Sequence, residues 1–307
     1  MQRLDGGSTV PDALRGGIVA LGNFDGFHKG HQAVVGRAVA RARAEGRPAL
    51  VATFDPHPVR FFKPDVPPFR LTTLDQRERL FGAAGADAML VYHFDAELAQ
   101  VTAPDFVADH LVSRAGAAGV VTGEDFTFGK GRGGNIEVLK LLGQANRLSV
   151  DAVAPVDDDG EPVSSSRIRD ALIAGDCDTA ARLLTRPFAI EGAVVHGDRI
   201  GHRLGYPTAN IPLDRYQRPR FGVYAIRARL GGRTLEGVAN LGTRPMFDPP
   251  KELLEPHFFD FDEEIYGQTV EVDLLSFIRD EQSFESLDAL KAQIARDCEG
   301  ARARLAR

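Results

Sequence analysis

Two histidines three residues apart, His28 and His31, stand in a glycine-rich run, Gly22-Asn23-Phe24-Asp25-Gly26-Phe27-His28-Lys29-Gly30-His31. Imidazoles so spaced share one face of a helical turn and can donate to phosphate oxygens. Gly30 between them leaves room for a ligand to lie against the backbone. Taken alone, the pair also fits a capped turn with surface histidines, or half a zinc site. HExxH zinc motifs place a glutamate and one more residue between their histidines, and no cysteine lies near.

Three more stretches carry polar side chains in suggestive order. Gly123 to Gly134 combines glycines with Lys130 and Arg132. It is not a P-loop: Gly123 and Gly129 are one residue too far apart, and Gly131 follows the lysine. Ser164-Ser165-Ser166-Arg167-Ile168-Arg169 places serines where a helix begins, a natural cap. Arginines just inside such a start oppose the helix dipole, which makes sense where a polyphosphate sits. In the second half, glycines precede Gly205-Tyr206-Pro207-Thr208-Ala209-Asn210. Thr208 and Asn210 offer hard oxygens suited to Mg²⁺.

The positioning elements follow from periodicity. Gly17 to Leu21 reads as a buried strand. The helix after it puts Val34, Val35, Ala38 and Ala42 on one face. Strands over 48–54, 88–92 and 119–122 alternate with helices over 71–84 and 104–115, a pattern that predicts a doubly wound parallel sheet. Ligands in such sheets bind at the C-terminal strand ends. A Pro- and Phe-rich loop, 61–69, fits an active-site flap or a surface excursion equally. Helices over 169–174 and 178–184 lead to Arg186. Beyond it alternation takes over: Tyr224, Ile226, Ala228 and Leu230 against Arg227 and Arg229, then a Gly231-Gly232 turn. Val270, Val272 and Leu274 continue it, predicting a small antiparallel barrel. A last helix is expected to bury Leu287, Leu290, Ile294 and Cys298. The domain boundary is placed at 186/187.

At 307 residues, 43% hydrophobic and 26% charged, the chain reads as two ordinary globular domains. A net charge of −6 argues against a general nucleic-acid binder. Neither a signal-peptide core nor a membrane-length apolar run is present. Two distant cysteines, Cys177 and Cys298, fit a reducing compartment. The expectation is a cytoplasmic protein with small-molecule substrates, no nucleic acid and no membrane partner. Self-association is left open.

The ten-residue run resembles the G-N-F-D-G-x-H-x-G-H signature of HxGH nucleotidyltransferases, in the form found in bifunctional bacterial riboflavin kinase/FMN adenylyltransferases, the prokaryotic FAD synthetases. The glycine loop at 123–134 resembles their G-x-D-F-x-F-G-x-x-R-x-G segment. Val163 to Arg169 resembles I-S-S-T-R-I-R, with Ser166 for threonine. The second half resembles riboflavin kinases: Gly201 to Asn210 for G-x-x-L-G-F-P-T-A-N, Gly237 to Phe247 for G-V-A-N-x-G-x-R-P-T-F, and the strand around Glu255. Likeness continues through Phe277-Ile278-Arg279, so it spans about Gly17 to Arg302. Departures are His202 for arginine, with Arg203 beside it, Tyr206 for phenylalanine and Met246 for threonine.

The resemblance implies an N-terminal HxGH nucleotidyltransferase domain over 1–186 and a riboflavin kinase domain over 187–307. His28, His31 and Arg167 would act on the nucleotide. Gly22, Asn23, Asp25, Gly26, Gly30, Ser164, Ser165 and Arg169, with Gly205 and Pro207 in the kinase, would hold ATP. Asp125, Phe126, Phe128 and Arg279 would shape the flavin sites. Thr208 and Asn210 would bind Mg²⁺, and Glu255, by spacing an ordinary exposed acid, would be the kinase base. ATP, riboflavin, FMN and FAD are the implied substrates and products. The alternative is a single-activity FMN adenylyltransferase whose weakened kinase domain binds flavin. A third reading is a non-catalytic flavin-sensing adaptor.

Overall fold

The computed structural model describes residues 1–197, 205–244 and 251–306. His202, Arg203 and Met246 lie outside the described residues. The chain divides into two compact units: Met1–Pro67 with Leu74–Ser164, and Pro68–Thr73 with Ser165–Arg307.

The first unit is a six-stranded parallel sheet. Its strands are β1 (Gln2–Asp5), β2 (Ile18–Leu21), β3 (Ala49–Asp55), β4 (Ala88–His93), β5 (Gly119–Gly123) and β6 (Ser149–Val153), in the order β1-β4-β3-β2-β5-β6. Apolar residues cover both faces of the four central strands, β2 to β5, which is why these read as largely apolar runs. Val19, Leu21, Leu50, Ala52 and Leu90 pack on one side with Phe106, Val107, Leu111 and Leu139. Ile18, Ala20, Val51 and Met89 pack on the other against α1 (Lys29–Glu45), through Val34, Val35, Ala38 and Ala42, as its pattern predicts. Gly46, in the left-handed region, ends α1.

Several expectations need correction here. The stretch 61–69 is not one loop: α2 (Pro58–Phe62) begins earlier, and Pro68–Thr73 joins the second unit. The next helix, α3, is Leu74–Ala83, shorter than expected. The helix expected over 104–115 starts as α4 (Ala103–Asp105) and continues as a π-helix, Phe106–Arg114. Its buried Val107 and Leu111, four apart, suit either winding. α5 (Ile136–Ala145) precedes β6, and β7 (Asp157–Asp158) and β8 (Glu161–Pro162) form a hairpin.

In the second unit α6 spans Ser165–Ala174, starting four residues before expectation, and Gly175 stops it with φ +79°. α7 is Cys177–Leu184. A six-stranded antiparallel sheet follows: β9 (Phe188–Ala193), β10 (Ile211–Pro212), β11 (Gly222–Leu230), β12 (Arg233–Arg244), β13 (Lys251–Phe258) and β14 (Thr269–Asp280), ordered β10-β13-β12-β11-β14-β9. The Val195 N–H donates to the Asn210 carbonyl at 2.9 Å, drawing the two sheet edges toward closure. Tyr224, Ile226, Ala228 and Leu230 are buried as alternation predicts, with Ile226 opposite Leu274 and Ala228 opposite Val272. Gly231 and Gly232 turn the β11–β12 hairpin with positive φ at both positions.

Val223 and Ala225, on the opposite face of β11, pack with Val238 against Ala301 of α8 (Leu287–Leu305). That helix buries Asp297 and Ala301 rather than the expected apolar row. Leu287 is 64% exposed, and Leu290, Ile294 and Cys298 are half-buried.

Candidate active sites

In the first unit the glycine-rich run leaves the C-terminal end of β2 and enters α1. Phe24 and Phe27 anchor it: both are buried, and both rings meet Phe81 of α3, at 5.8 and 5.0 Å. Their φ angles, 49° and 46°, lie in the left-handed region, a cost that side-chain burial offsets. His28 is the N-cap of α1, not its first turn, and accepts the His31 N–H at Nδ1, 3.4 Å away. The two rings stack with centroids 3.6 Å apart. With Nδ1 accepting, a neutral His28 carries its proton on Nε2. Gly30 gives its space to the His28 ring: a Cβ there would fall 3.2 Å from Cε1.

Asn23 and Asp25 are held in the same run. Thr53 Oγ1 donates to the Asn23 carbonyl at 2.8 Å, and buried Arg77 donates to it at 3.3 Å and to Thr53 at 3.1 Å. Asn23 Oδ1 is buried with no hydrogen-bond partner among the described residues. Asp25 is buried. Lys29 reaches Asp158 of β7 at 2.5 Å. Sequence reasoning missed Arg77 and Thr53; a lone arginine in a helix carries no signal of burial.

The expected flavin residues of this unit separate by environment. Asp125 is exposed and Phe126 half-buried, whereas Phe128 is buried in the main core. Phe126 and Phe128 stack at 5.9 Å, 9° apart. From Phe128 ring contacts run through Phe106, Tyr92, Phe54 and Phe94 to Phe61 and Phe62. Phe62 is 63% exposed, so this aromatic chain opens to solvent at one end. Flat apolar faces of this kind accept a planar heteroaromatic ring.

Ser164 closes the first unit, while Ser165, Arg167 and Arg169 belong to α6 of the second. Arg169 donates from Nε to the Phe69 carbonyl at 2.8 Å, with its guanidinium 5.1 Å from the Phe69 ring centroid. It therefore ties the 68–73 segment to α6.

The second unit gathers its candidates on the face of the sheet that α8 partly covers. Glu255 of β13 stands opposite Asn240 of β12 and is half-buried, not an exposed acid. The Pro-Thr-Ala-Asn stretch runs along β13: Ala209 donates to the Pro256 carbonyl at 2.9 Å, and the Pro207 carbonyl meets His257 Nδ1 at 2.9 Å. Thr208 is half-buried and Asn210 buried, one residue before the Ile211–Leu254 pair. Gly197 makes room for Asn210: a Cβ there would fall 2.5 Å from Nδ2. Gly205 is exposed with φ +84°.

Arg279, expected on the flavin, holds buried Asp297 of α8 through two bonds, 2.9 and 2.7 Å. Gln293 adds a third to the same carboxylate at 2.9 Å. Arg244 pairs with Glu255, and sequence reasoning gave it no role. Among the described residues, no group of three or more His, Cys, Asp or Glu gathers to hold a metal ion.

A parallel α/β unit with stacked histidines at a helix start, joined to an antiparallel unit with an extended Thr-Ala-Asn segment beside a glutamate-bearing strand, fits a two-domain phosphoryl- and nucleotidyl-transfer enzyme. The family models agree: FAD synthetase matches residues 10–167 and riboflavin kinase matches 184–305. The bifunctional riboflavin kinase/FMN adenylyltransferase of Escherichia coli K12 is 40% identical over 283 residues, covering 92% of this chain and 90% of that protein. The Pseudomonas fluorescens enzyme of the same name is 40% identical over 304 residues, covering 99% and 97%. A Streptococcus pneumoniae crystal structure described as a macrolide-efflux protein has a TM-score of 0.87 at 33% identity, covering 98% of this chain and 99% of that one. No helix among the described residues is long and apolar enough to cross a membrane. The chain belongs to the bifunctional riboflavin kinase/FMN adenylyltransferase family, with both domains present.

Proposed function

We propose that the two activities are divided at about residue 186, with FMN adenylylation by 1–186 and riboflavin phosphorylation by 187–307. In the second domain the riboflavin 5′-hydroxyl attacks the γ-phosphate of ATP. An alcohol is a poor nucleophile at neutral pH, so Glu255 accepts its proton. Gly205 and Pro207 belong to the loop that holds the ATP phosphates. Thr208 and Asn210 would hold Mg²⁺; a hydroxyl and a side-chain amide oxygen seated against Gly197 are a hard-oxygen set that fits it. When bound, the ion would neutralise phosphate charge.

In the first domain the FMN phosphate attacks the α-phosphate of a second ATP, and pyrophosphate leaves. Its second pKa is about 6, so it is already largely anionic and needs no base. The work is positioning and charge stabilisation, which His28, His31 and the N–H groups at the start of α1 supply. Arg167 and Arg169 add positive charge for the nucleotide, as Ser164 and Ser165 add donors. Asp125, Phe126 and Phe128 contact flavin in this domain, and Arg279 in the other. The free cysteines, Cys177 and Cys298, suit a reducing cytoplasm.

One observation carries the reading: each unit holds its own polar constellation, stacked His28–His31 in one and Glu255 beside Thr208–Asn210 in the other. Incubation of the full chain with riboflavin, ATP and Mg²⁺ should give FMN first and FAD second by chromatography. Accumulation of FMN alone, or FAD made only from added FMN, would leave one domain without its activity.

A further inference from the structure

On β12, Asn240, Gly242 and Arg244 alternate onto the face that carries Glu255. Arg244 meets Glu255 through Nη2, and its Nη1 lies 3.6 Å from Glu281 Oε1. Asn240 Nδ2 donates to the same Glu281 oxygen at 3.2 Å. Glu281 reaches this position because residue 242 has no side chain: a Cβ there would fall 1.9 Å from Oε1. One guanidinium thus spans two carboxylates, one of them the candidate base. Burial pulls the Arg244 pKa below its usual value, and the charge of Glu281 opposes that pull.

We infer that Arg244 is a further catalytic residue of riboflavin phosphorylation, stored between Glu255 and Glu281 and transferred to the moving phosphoryl group when ATP binds. Glu281 is the positioning residue that holds it. The inference rests on Glu255 being the kinase base. A glutamate that shares its charge with an arginine is a weak proton acceptor, so the pair must open for the base to act. A triphosphate offers a planar fork more charge and more oxygens than one carboxylate does, and can draw Nη2 away. Glu281 keeps Nη1, so the arginine swings without leaving the site.

The step balances. The 5′-oxygen forms a bond to the γ-phosphorus, its proton passes to Glu255, and the bond to the bridging oxygen breaks with its electron pair leaving on ADP. Arg244 contributes charge to the transferring oxygens and exchanges no proton.

The test uses the full chain, measuring kcat and KM for FMN formation, with FAD formation from added FMN as the control for folding. Arg244→Ala should lower kcat by about 100-fold with KM for riboflavin nearly unchanged. Arg244→Lys should recover part of the loss, because a point charge holds one partner at a time. Glu281→Gln should lower kcat by about 5-fold, and in the double variant with Arg244→Ala it should add nothing. A kcat for Arg244→Ala within about twofold of the parent overturns the role of Arg244. Multiplicative losses in the double variant overturn the role of Glu281. Glu255→Gln, measured alongside, separates the premise: full FMN formation there removes the base, whereas its loss with an active Arg244→Ala removes the inference alone.

Discussion

In the function proposed here, the two units hold phosphates by opposite means. In the first, every strand of the sheet runs the same way, so the loops gather at one edge and a helix start lies among them. Charge there is handled by backbone N–H groups, a capping histidine and a buried arginine, Arg77, beneath the loop. In the second, antiparallel strands put alternate side chains on an open face. The proposed chemistry there falls to Glu255 of β13, Asn240 and Arg244 of β12, and Glu281 just beyond β14. The architecture dictates the difference. A parallel edge supplies oriented dipoles, suited to a nucleophile that is already anionic. A pleated face supplies placed carboxylates, suited to a nucleophile that must lose a proton.

The sharpest way to break this comparison is Glu255→Gln. FMN formation from riboflavin should fall by about 10³-fold, and FAD formation from added FMN should stay near the parent rate. His31→Ala should do the reverse, lowering FAD formation by about 100-fold and sparing FMN formation. Loss of both activities in either folded variant would mean that the units share one catalytic apparatus.

Both architectures were readable in the chain, for different reasons. Ile18–Leu21 and Ala49–Asp55 are buried on two faces and read as unbroken apolar runs; β11 is anchored by inward Tyr224 to Leu230 and reads as alternation. β1 left no such trace, because none of its four residues is buried. The face of α8 was misjudged because its buried residues are an ion-paired Asp297 and a small Ala301, which no apolar periodicity marks. The motif residues were legible as types, but their partners were not. Gly242 and Glu281 are far apart in sequence, and the need for a missing Cβ appears only when β12 meets the end of β14. Arg77 was invisible for the same reason: its partners, Asn23 and Thr53, lie on other elements.

A stability measurement sharpens the comparison next. Asp297 is 4% exposed and holds Arg279 with two bonds, so Asp297→Ala leaves a half-buried guanidinium without its partner. The expected cost is about 3 kcal/mol. It should fall on the unit that contains α8. Thermal unfolding followed by loss of each activity should show FMN formation failing at lower temperature while FAD formation from FMN persists. Coincident loss would mean that the two units unfold as one.

The smallest effect comes from Gly30→Ala, where two consequences oppose. Alanine near the start of α1 favours the helix by up to about 1 kcal/mol over glycine. Its Cβ, however, would come within 3.2 Å of His28 Cε1 and 3.3 Å of Nδ1, so the ring must give by a few tenths of an ångström. That ring caps the helix and stacks on His31, so a shift moves both rings from the positions proposed for holding phosphate. FAD formation from added FMN should fall by about 5-fold while the melting temperature holds or rises slightly, since displaced catalytic geometry costs rate before it costs stability. FMN formation should not change. Unchanged FAD formation in this variant would show that the stack tolerates displacement, and that the N–H groups of α1 rather than the two rings hold the phosphates.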